Sequence, residues 1–107
     1  MPGVVASGTQ TATLNTEHTL NTDTSNKTYV LGVDLNALVN GETVELRVYT
    51  KMLSGSTSRL AYIATYVNVQ GIPNVFSPPI TANNECKVTL KQIGGTGRAF
   101  DWVLLSL

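Results

Sequence analysis

The side chain best suited to acid–base chemistry in this sequence is its only histidine, His18. A catalytic histidine needs a nucleophile to act on and a carboxylate to orient its ring. The acids close to it in the chain, Glu17 and Asp23, lie in a threonine-rich polar segment in which such neighbours are common. The spacing supplies no nucleophile, so we interpret His18 as a solvated strand residue.

The only cysteine, Cys86, is the second candidate for chemistry. It alternates with Val88 and Leu90, a period of two that places it on the apolar face of a strand. A cysteine in that position packs as a small hydrophobic residue. A reactive thiolate needs a nearby cation, and Lys87 points to the opposite face. A single cysteine also excludes an intramolecular disulfide.

The spacing of the remaining polar residues predicts neither a metal site nor a phosphate site. One histidine and one cysteine are too few for zinc, and Asp23, Asp34 and Asp101 fit no calcium-binding loop. The glycine-rich run 94–97 is followed by a strand pattern rather than by the helix that a phosphate loop requires. We interpret that run as a hairpin turn. We therefore predict no catalytic residue, no metal, no cofactor and no small-molecule substrate; the protein is not expected to be an enzyme.

Composition narrows the class of partner. The chain has 107 residues with seven charges of each sign, so its net charge is zero, and threonine occurs 15 times. Nucleic-acid binders carry a basic excess, which is missing here. No apolar run approaches the roughly 20 residues of a membrane helix, and the first ten residues do not resemble a secretion signal. We expect a protein made in the cytoplasm, without nucleic-acid or membrane partners.

Hydrophobic periodicity predicts strands throughout. Residues 42–52 alternate apolar and polar side chains, Pro78-Pro79 interrupts a later strand, and no long segment has helical periodicity. Seven or eight short strands separated by turns predict an all-β fold, a single antiparallel β-sandwich of jelly-roll or related Greek-key type. We expect residues 1–8 to form a flexible N-terminal arm and residues 9–107 to form the sandwich domain.

Two predicted strands, 59–69 and 98–107, carry apolar side chains on both faces. Either loops and the N-terminal segment cover the second face, or another subunit does. Because residues 1–26 contain few large apolar groups, we favour a partner, including a homo-oligomer. Which face points inward is not decided by the pattern. Tyr49, on a charged strand face, is a candidate ligand or partner contact or simply a cross-strand packing residue. The candidate interface residues are Val4 and Val5 of the arm, Tyr49, and the anchors Tyr62, Tyr66, Trp102 and Leu104.

Residues 43–67 and 87–107, and above all the G-T-G-R-x-F-x-W segment at 95–102, resemble small virion proteins of tailed bacteriophages. Proteins of that kind include capsid decoration (cement) proteins. The resemblance implies a jelly-roll or related β-fold, a dimer or trimer, the major capsid protein as partner and a location on the capsid surface. It carries over no functional residue. The alternative is a carbohydrate- or receptor-binding module of a tail or head fibre, with Tyr49 and the loops 54–58 and 94–97 at the ligand edge.

Overall fold

The computed structural model describes residues 3–107, and these form nine β-strands without a helix. The strands are β1 (Gly3–Thr11), β2 (His18–Asp23), β3 (Thr28–Asp34), β4 (Thr43–Lys51), β5 (Arg59–Val67), β6 (Asn74–Phe76), β7 (Ile80–Thr81), β8 (Asn83–Ile93) and β9 (Ala99–Ser106).

The strands form two antiparallel sheets that pack face to face. The first sheet has the order β1-β9-β3-β6, with β7 also paired to β3, and the second has the order β2-β8-β4-β5. If β6 and β7 are taken as one interrupted strand, this is the eight-stranded order of a jelly roll, built from two Greek keys. The predicted antiparallel sandwich is confirmed.

The interruption between β6 and β7 follows from the two prolines. Pro78 and Pro79 have no N–H to donate to a ladder, so the strand breaks at an edge of the sheet. Ser77 maintains the pairing at that point: its amide donates to the Leu31 carbonyl at 2.8 Å, and its hydroxyl accepts from the Leu31 amide at 2.9 Å. The break leaves Phe76 as the last residue of β6.

The core lies between the sheets and is built from the inward positions of the alternating strands. Val44, Leu46 and Val48 of β4 are buried, as the period of two predicted. The other fully enclosed large side chains come mainly from β3, β8 and β9 and from the segment after β3: Tyr29, Leu31, Leu35, Leu38, Leu90, Phe100 and Leu104. Burial of each such side chain contributes roughly 1.5–3 kcal/mol.

The predicted flexible arm is wrong for the residues that the structure describes. Gly3–Thr11 is strand β1, which pairs with β9 along its whole length apart from a bulge after Val4. Few large apolar groups are needed there because its inward positions, Ala6, Gly8 and Gln10, lie opposite large residues of β9. Pairing with β9 also satisfies backbone groups that would otherwise form a bare edge. Residues 1 and 2 of the predicted arm lie outside the described residues.

Candidate functional site

The outer faces of the two sheets differ in their number of charged side chains. The outer face of the second sheet carries most of the ordered charges: Glu17, Glu45, Arg47, Lys51, Glu85, Lys87 and Lys91. In the described part of the first sheet, the only charged side chains that point outward are Asp34 and Asp101, both near one end.

Several charged and polar side chains on this face of the second sheet bind one another. The Glu17 carboxylate accepts hydrogen bonds from the Tyr49 hydroxyl at 2.6 Å and from the Thr89 hydroxyl at 2.7 Å, and it pairs with Arg47 at 3.6 Å. Burial acts to raise the pKa of Glu17, but these donors outweigh it and the pKa is lowered. The Lys87 ammonium lies 4.7 Å from the centre of the Tyr49 ring. Tyr49 is therefore engaged by its own chain, in agreement with the cross-strand packing interpretation.

The outer face of the first sheet is apolar over its opposite end. Val4 of β1 and Val30 of β3 both lie beside Leu105 of β9, and Leu107 continues this patch beyond β9. Val4 is 67% exposed and Leu107 is 61% exposed. We call these four residues, Val4, Val30, Leu105 and Leu107, the apolar face. An uncovered apolar patch on a sheet typically marks an interaction surface.

A shallow groove of about 240 Å³ lies on the same sheet, towards the charged end. Its lining includes Gly32, Asp34, Asn74, Phe76, Asp101 and Val103, which we call the Phe76 groove. Because Leu105 and Asp101 are four residues apart on β9, the apolar face and the polar end of the groove are separated by about 13 Å.

The structure separates the residues that the sequence grouped as interface candidates. Leu104 is fully buried between the sheets, so its assignment as a surface anchor is wrong. Val5, Tyr62, Tyr66 and Trp102 are half-buried and pack against the core. Tyr62, Tyr66 and Trp102 face inward because they lie opposite the core residues Val48, Val44 and Val33 of the paired strands. Val5 lies at the bulge of β1. Of the seven candidates, only Val4 is largely exposed.

The interface candidates from the sequence did not include Val103 and Leu105 of β9 or Leu107 after it, which face outward. The signal was present, since that strand is apolar on both faces. The candidates also omitted Phe76, which is 58% exposed. Its position directly before the proline-interrupted edge was the available clue, because a short edge strand leaves its outward side chain uncovered.

The glycine-rich loop 94–97 connects the second sheet to the first and is therefore a crossover, not the predicted hairpin. Its backbone lies against the carboxylate of Glu42. The Thr96 amide donates to Glu42 Oε2 at 3.1 Å, and Arg98 Nη2 lies 3.1 Å from the same oxygen. Gln92 closes the loop by donating to the Thr96 carbonyl at 2.8 Å and accepting from the Arg98 amide at 2.9 Å.

The remaining titratable candidates have structural contacts. The Thr13 amide donates to His18 Nε2 at 2.9 Å, which closes the loop between β1 and β2. Burial raises the pKa of the Cys86 thiol to about 12, so the thiolate is suppressed, as expected for a packed cysteine. The Tyr29 hydroxyl donates to Asp23 within the partly buried end of the sandwich. Burial raises the pKa of Tyr29, and its bond to Asp23 adds to that effect.

Comparison with known protein families, with curated proteins and with solved structures finds no match for this chain. Over residues 3–107 there is no cluster of three or more histidine, cysteine or acidic side chains placed to hold a metal ion. The same residues include no helix with the length and apolar character needed to cross a membrane.

Proposed function

We propose that this protein is a structural component of a tailed-phage virion, a head decoration protein that binds the outside of the capsid lattice and stabilises it through multivalent non-covalent contacts. The observation that carries this proposal is the apolar face on the first sheet. The major capsid protein is the proposed partner, and the capsid surface is the proposed location.

The apolar face has the properties of a docking surface. Its residues come from three neighbouring strands and are held by the ladders of the sheet, so little conformational entropy is lost when a partner covers them. Covering Val4 and Leu107, which are 67% and 61% exposed, removes apolar surface from water and favours association. Each contact is modest, but repetition around a symmetric lattice multiplies the effective affinity.

The pairing of β1 with β9 changes how the N-terminal segment contributes to the proposed contact. Residues 3–11 are already a strand of this domain, so they are not free to add to a neighbour's sheet as an extended arm. Val4 contributes instead as an exposed side chain of a rigid surface. The same apolar face is the proposed contact for self-association into a dimer or trimer.

Co-sedimentation with phage heads that lack the protein tests the proposal. We expect saturable binding at a fixed ratio to coat subunits. The double variant Val4→Glu/Leu107→Glu places two charges on the apolar face and is expected to weaken binding at least about tenfold. The matched control is Ile63→Glu/Val67→Glu, which alters two exposed apolar residues of the second sheet (44% and 51% exposed).

Two results would contradict the proposal. Folded wild-type protein that does not bind heads excludes the decoration role. If the control variant loses binding while the Val4/Leu107 variant retains it, the contact lies on the second sheet.

A saccharide-binding module of a fibre is the second candidate, and the Phe76 groove is the observation that favours it. The ligand edge predicted from the sequence gives this role little support, because Tyr49 and the 94–97 loop form hydrogen bonds with Glu17 and Glu42 of the same chain. A glycan screen alongside the head-binding assay separates the two roles.

A further inference from the structure

Phe76 forms an open aromatic platform on the outer face of the first sheet. It lies beside Gly32 of β3, and a Cβ at Gly32 would come within 2.7 Å and 2.9 Å of the Phe76 ring. The ring is therefore in close contact with the strand at the one position where no side chain intervenes. Phe76 is nevertheless 58% exposed, so much of its surface remains open to solvent.

Polar side chains from three strands meet at one end of this platform. Asp34 lies opposite Asn74, and both line the groove together with Asp101. The Asn36 amide donates to Asp34 Oδ1 at 2.9 Å, and the Thr9 hydroxyl donates to Asp101 Oδ1 at 2.6 Å. These bonds orient the two carboxylates. Among residues 3–107, no hydrogen bond reaches the second oxygen of either carboxylate, and none reaches the side-chain carboxamide of Asn74.

We propose that the Phe76 groove binds a neutral hexopyranose unit of a glycan. One face of a pyranose ring presents C–H bonds, which are attracted to the negative face of an aromatic ring. The hydroxyls around its rim need both acceptors and donors. The free oxygens of Asp34 and Asp101 can accept hydrogen bonds from these hydroxyls, and the side-chain carboxamide of Asn74 can both donate and accept.

The charge of the groove selects the class of sugar. Two carboxylates at one end repel an anionic ligand, so sialic acids and uronic acids are disfavoured. A lysine side chain is the competing ligand, since it would pair with the carboxylates and lie over the ring. The side-chain carboxamide of Asn74 favours the saccharide. Its N–H groups can donate hydrogen bonds to sugar hydroxyls, whereas an ammonium group has no acceptor for them.

This site goes beyond the proposed capsid role and does not depend on it. The polar end of the Phe76 groove is about 13 Å from Leu105 of the apolar face, as the strand spacing requires. A decoration protein that also binds saccharide would bring a virion to a glycan-coated surface.

The test is a titration of ¹⁵N-labelled full-length protein with the methyl β-glycosides of glucose, galactose and N-acetylglucosamine, followed by NMR. The methyl glycosides of glucuronic acid and N-acetylneuraminic acid serve as anionic probes, and Nα-acetyl-lysine methylamide, with a free side-chain ammonium group, serves as the cationic probe. We expect saturable, millimolar binding of at least one neutral sugar, with shifts at residues 32–34, 74–76 and 101–103.

Four variants sharpen the result. Phe76→Leu removes the aromatic face and is expected to weaken sugar binding about tenfold, whereas Phe76→Tyr retains it. Gly32→Ala displaces the ring and is expected to weaken binding as well. Ile72→Ala alters an exposed residue outside the lining of the groove (80% exposed) and should have no effect.

Several outcomes overturn the proposal: no neutral sugar binds, Phe76→Leu binds as wild type does, an anionic sugar binds as well as the neutral ones, or only the lysine probe binds. The head-binding assay keeps the two proposals distinct. Phe76→Leu should leave head binding unchanged, and Val4→Glu/Leu107→Glu should leave sugar binding unchanged.

Discussion

At the scale of single residues, the most consequential side chain is the buried carboxylate of Glu42. It is 2% exposed, and it accepts bonds from the Val39 amide, the Thr96 amide and the Arg98 guanidinium. These donors belong to two different loops. Glu42 therefore holds together one end of the sandwich, and the glycines of the 94–97 loop allow the backbone to approach it. A Cβ at Gly95 would collide with that carboxylate.

Removing this charge is expected to destabilise the fold. Glu42→Gln leaves the Arg98 guanidinium without its anionic partner, and we expect a loss of about 2 kcal/mol in the free energy of unfolding. The matched control is Glu45→Gln, whose partner Arg47 lies 3.2 Å away on the outer surface; we expect that variant to lose less than about 1 kcal/mol. Urea denaturation measures both. Equal losses would contradict a special role for Glu42.

Low pH is expected to weaken the same contact between Glu42 and Arg98 and so to destabilise the fold. Hydrogen bonds from Arg98, opposed by burial, hold the pKa of Glu42 below its ordinary value of 4.5. Because the unfolded chain then binds more protons than the folded one, the stabilisation is complete above 4.5 and is lost as the pH falls through the lower folded value. Urea midpoints at neutral pH and at several acidic values measure this slope. Glu42→Gln should flatten it, and an unchanged slope would assign the acid sensitivity to Asp23 and Glu17, whose pKa values are also lowered.

At the scale of elements, β1 shows how a strand with few large apolar residues is retained in a sandwich. Its inward positions are small or polar and lie against the larger residues of β9, for example Gly8 opposite Trp102. A Cβ at Gly8 would lie 3.5 Å from the Trp102 ring, which is ordinary contact. The large residue of each pair is supplied by β9, and the backbone ladder holds β1 in register.

The parity of β1 is directly testable. Ala6 lies opposite the buried Leu104, so Ala6→Glu forces a carboxylate towards the core and is expected to cost about 2 kcal/mol or more. Ser7 points outward and is exposed, so Ser7→Glu should change stability by less than about 0.5 kcal/mol. Thermal denaturation compares the two. A flexible arm would tolerate both substitutions, and that result would contradict the pairing of β1 with β9.

The interruption at Pro78-Pro79 has a consequence for the neighbouring element. It keeps β6 three residues long, and Asn74 and Phe76 point outward from it beside Asp34 and Gly32. The short edge strand thus presents an aromatic ring and an amide on one rigid surface. The Phe76 groove exists because this strand stops there.

At the scale of the whole molecule, one outer face of the sandwich carries most of the charges, with exposed apolar residues only along β5, and the other face is apolar over one end. It measures 40 × 30 × 19 Å, so the sheets present its broad surfaces. The charges of the second sheet form pairs such as Lys51 with Glu85 at 3.5 Å, which keep that face hydrated. Association through the apolar face of the first sheet would remove the exposed side chains of Val4 and Leu107 from water.

Self-association through that face is the corresponding prediction. Sedimentation velocity of the wild-type protein is expected to show a dimer or trimer, strengthened by sulfate, which favours apolar burial. Val4→Glu/Leu107→Glu should sediment as a monomer, and Ile63→Glu/Val67→Glu should not differ from wild type. A wild-type monomer at every accessible concentration would restrict the apolar face to a contact with the capsid.

The sequence by itself determined the fold class, because a period of two, turn residues and a proline pair are local signals that do not depend on distant neighbours. It also indicated that two strands carry apolar residues on both faces. Only the tertiary structure decided which parity of β9 is buried, since Leu104 and Leu105 are chemically equivalent and differ only in which side of the sheet they occupy. The Phe76 groove depends on contacts between β3, β6 and β9, whose residues are far apart in the chain. No local pattern encodes that juxtaposition; the register of the sheet creates it.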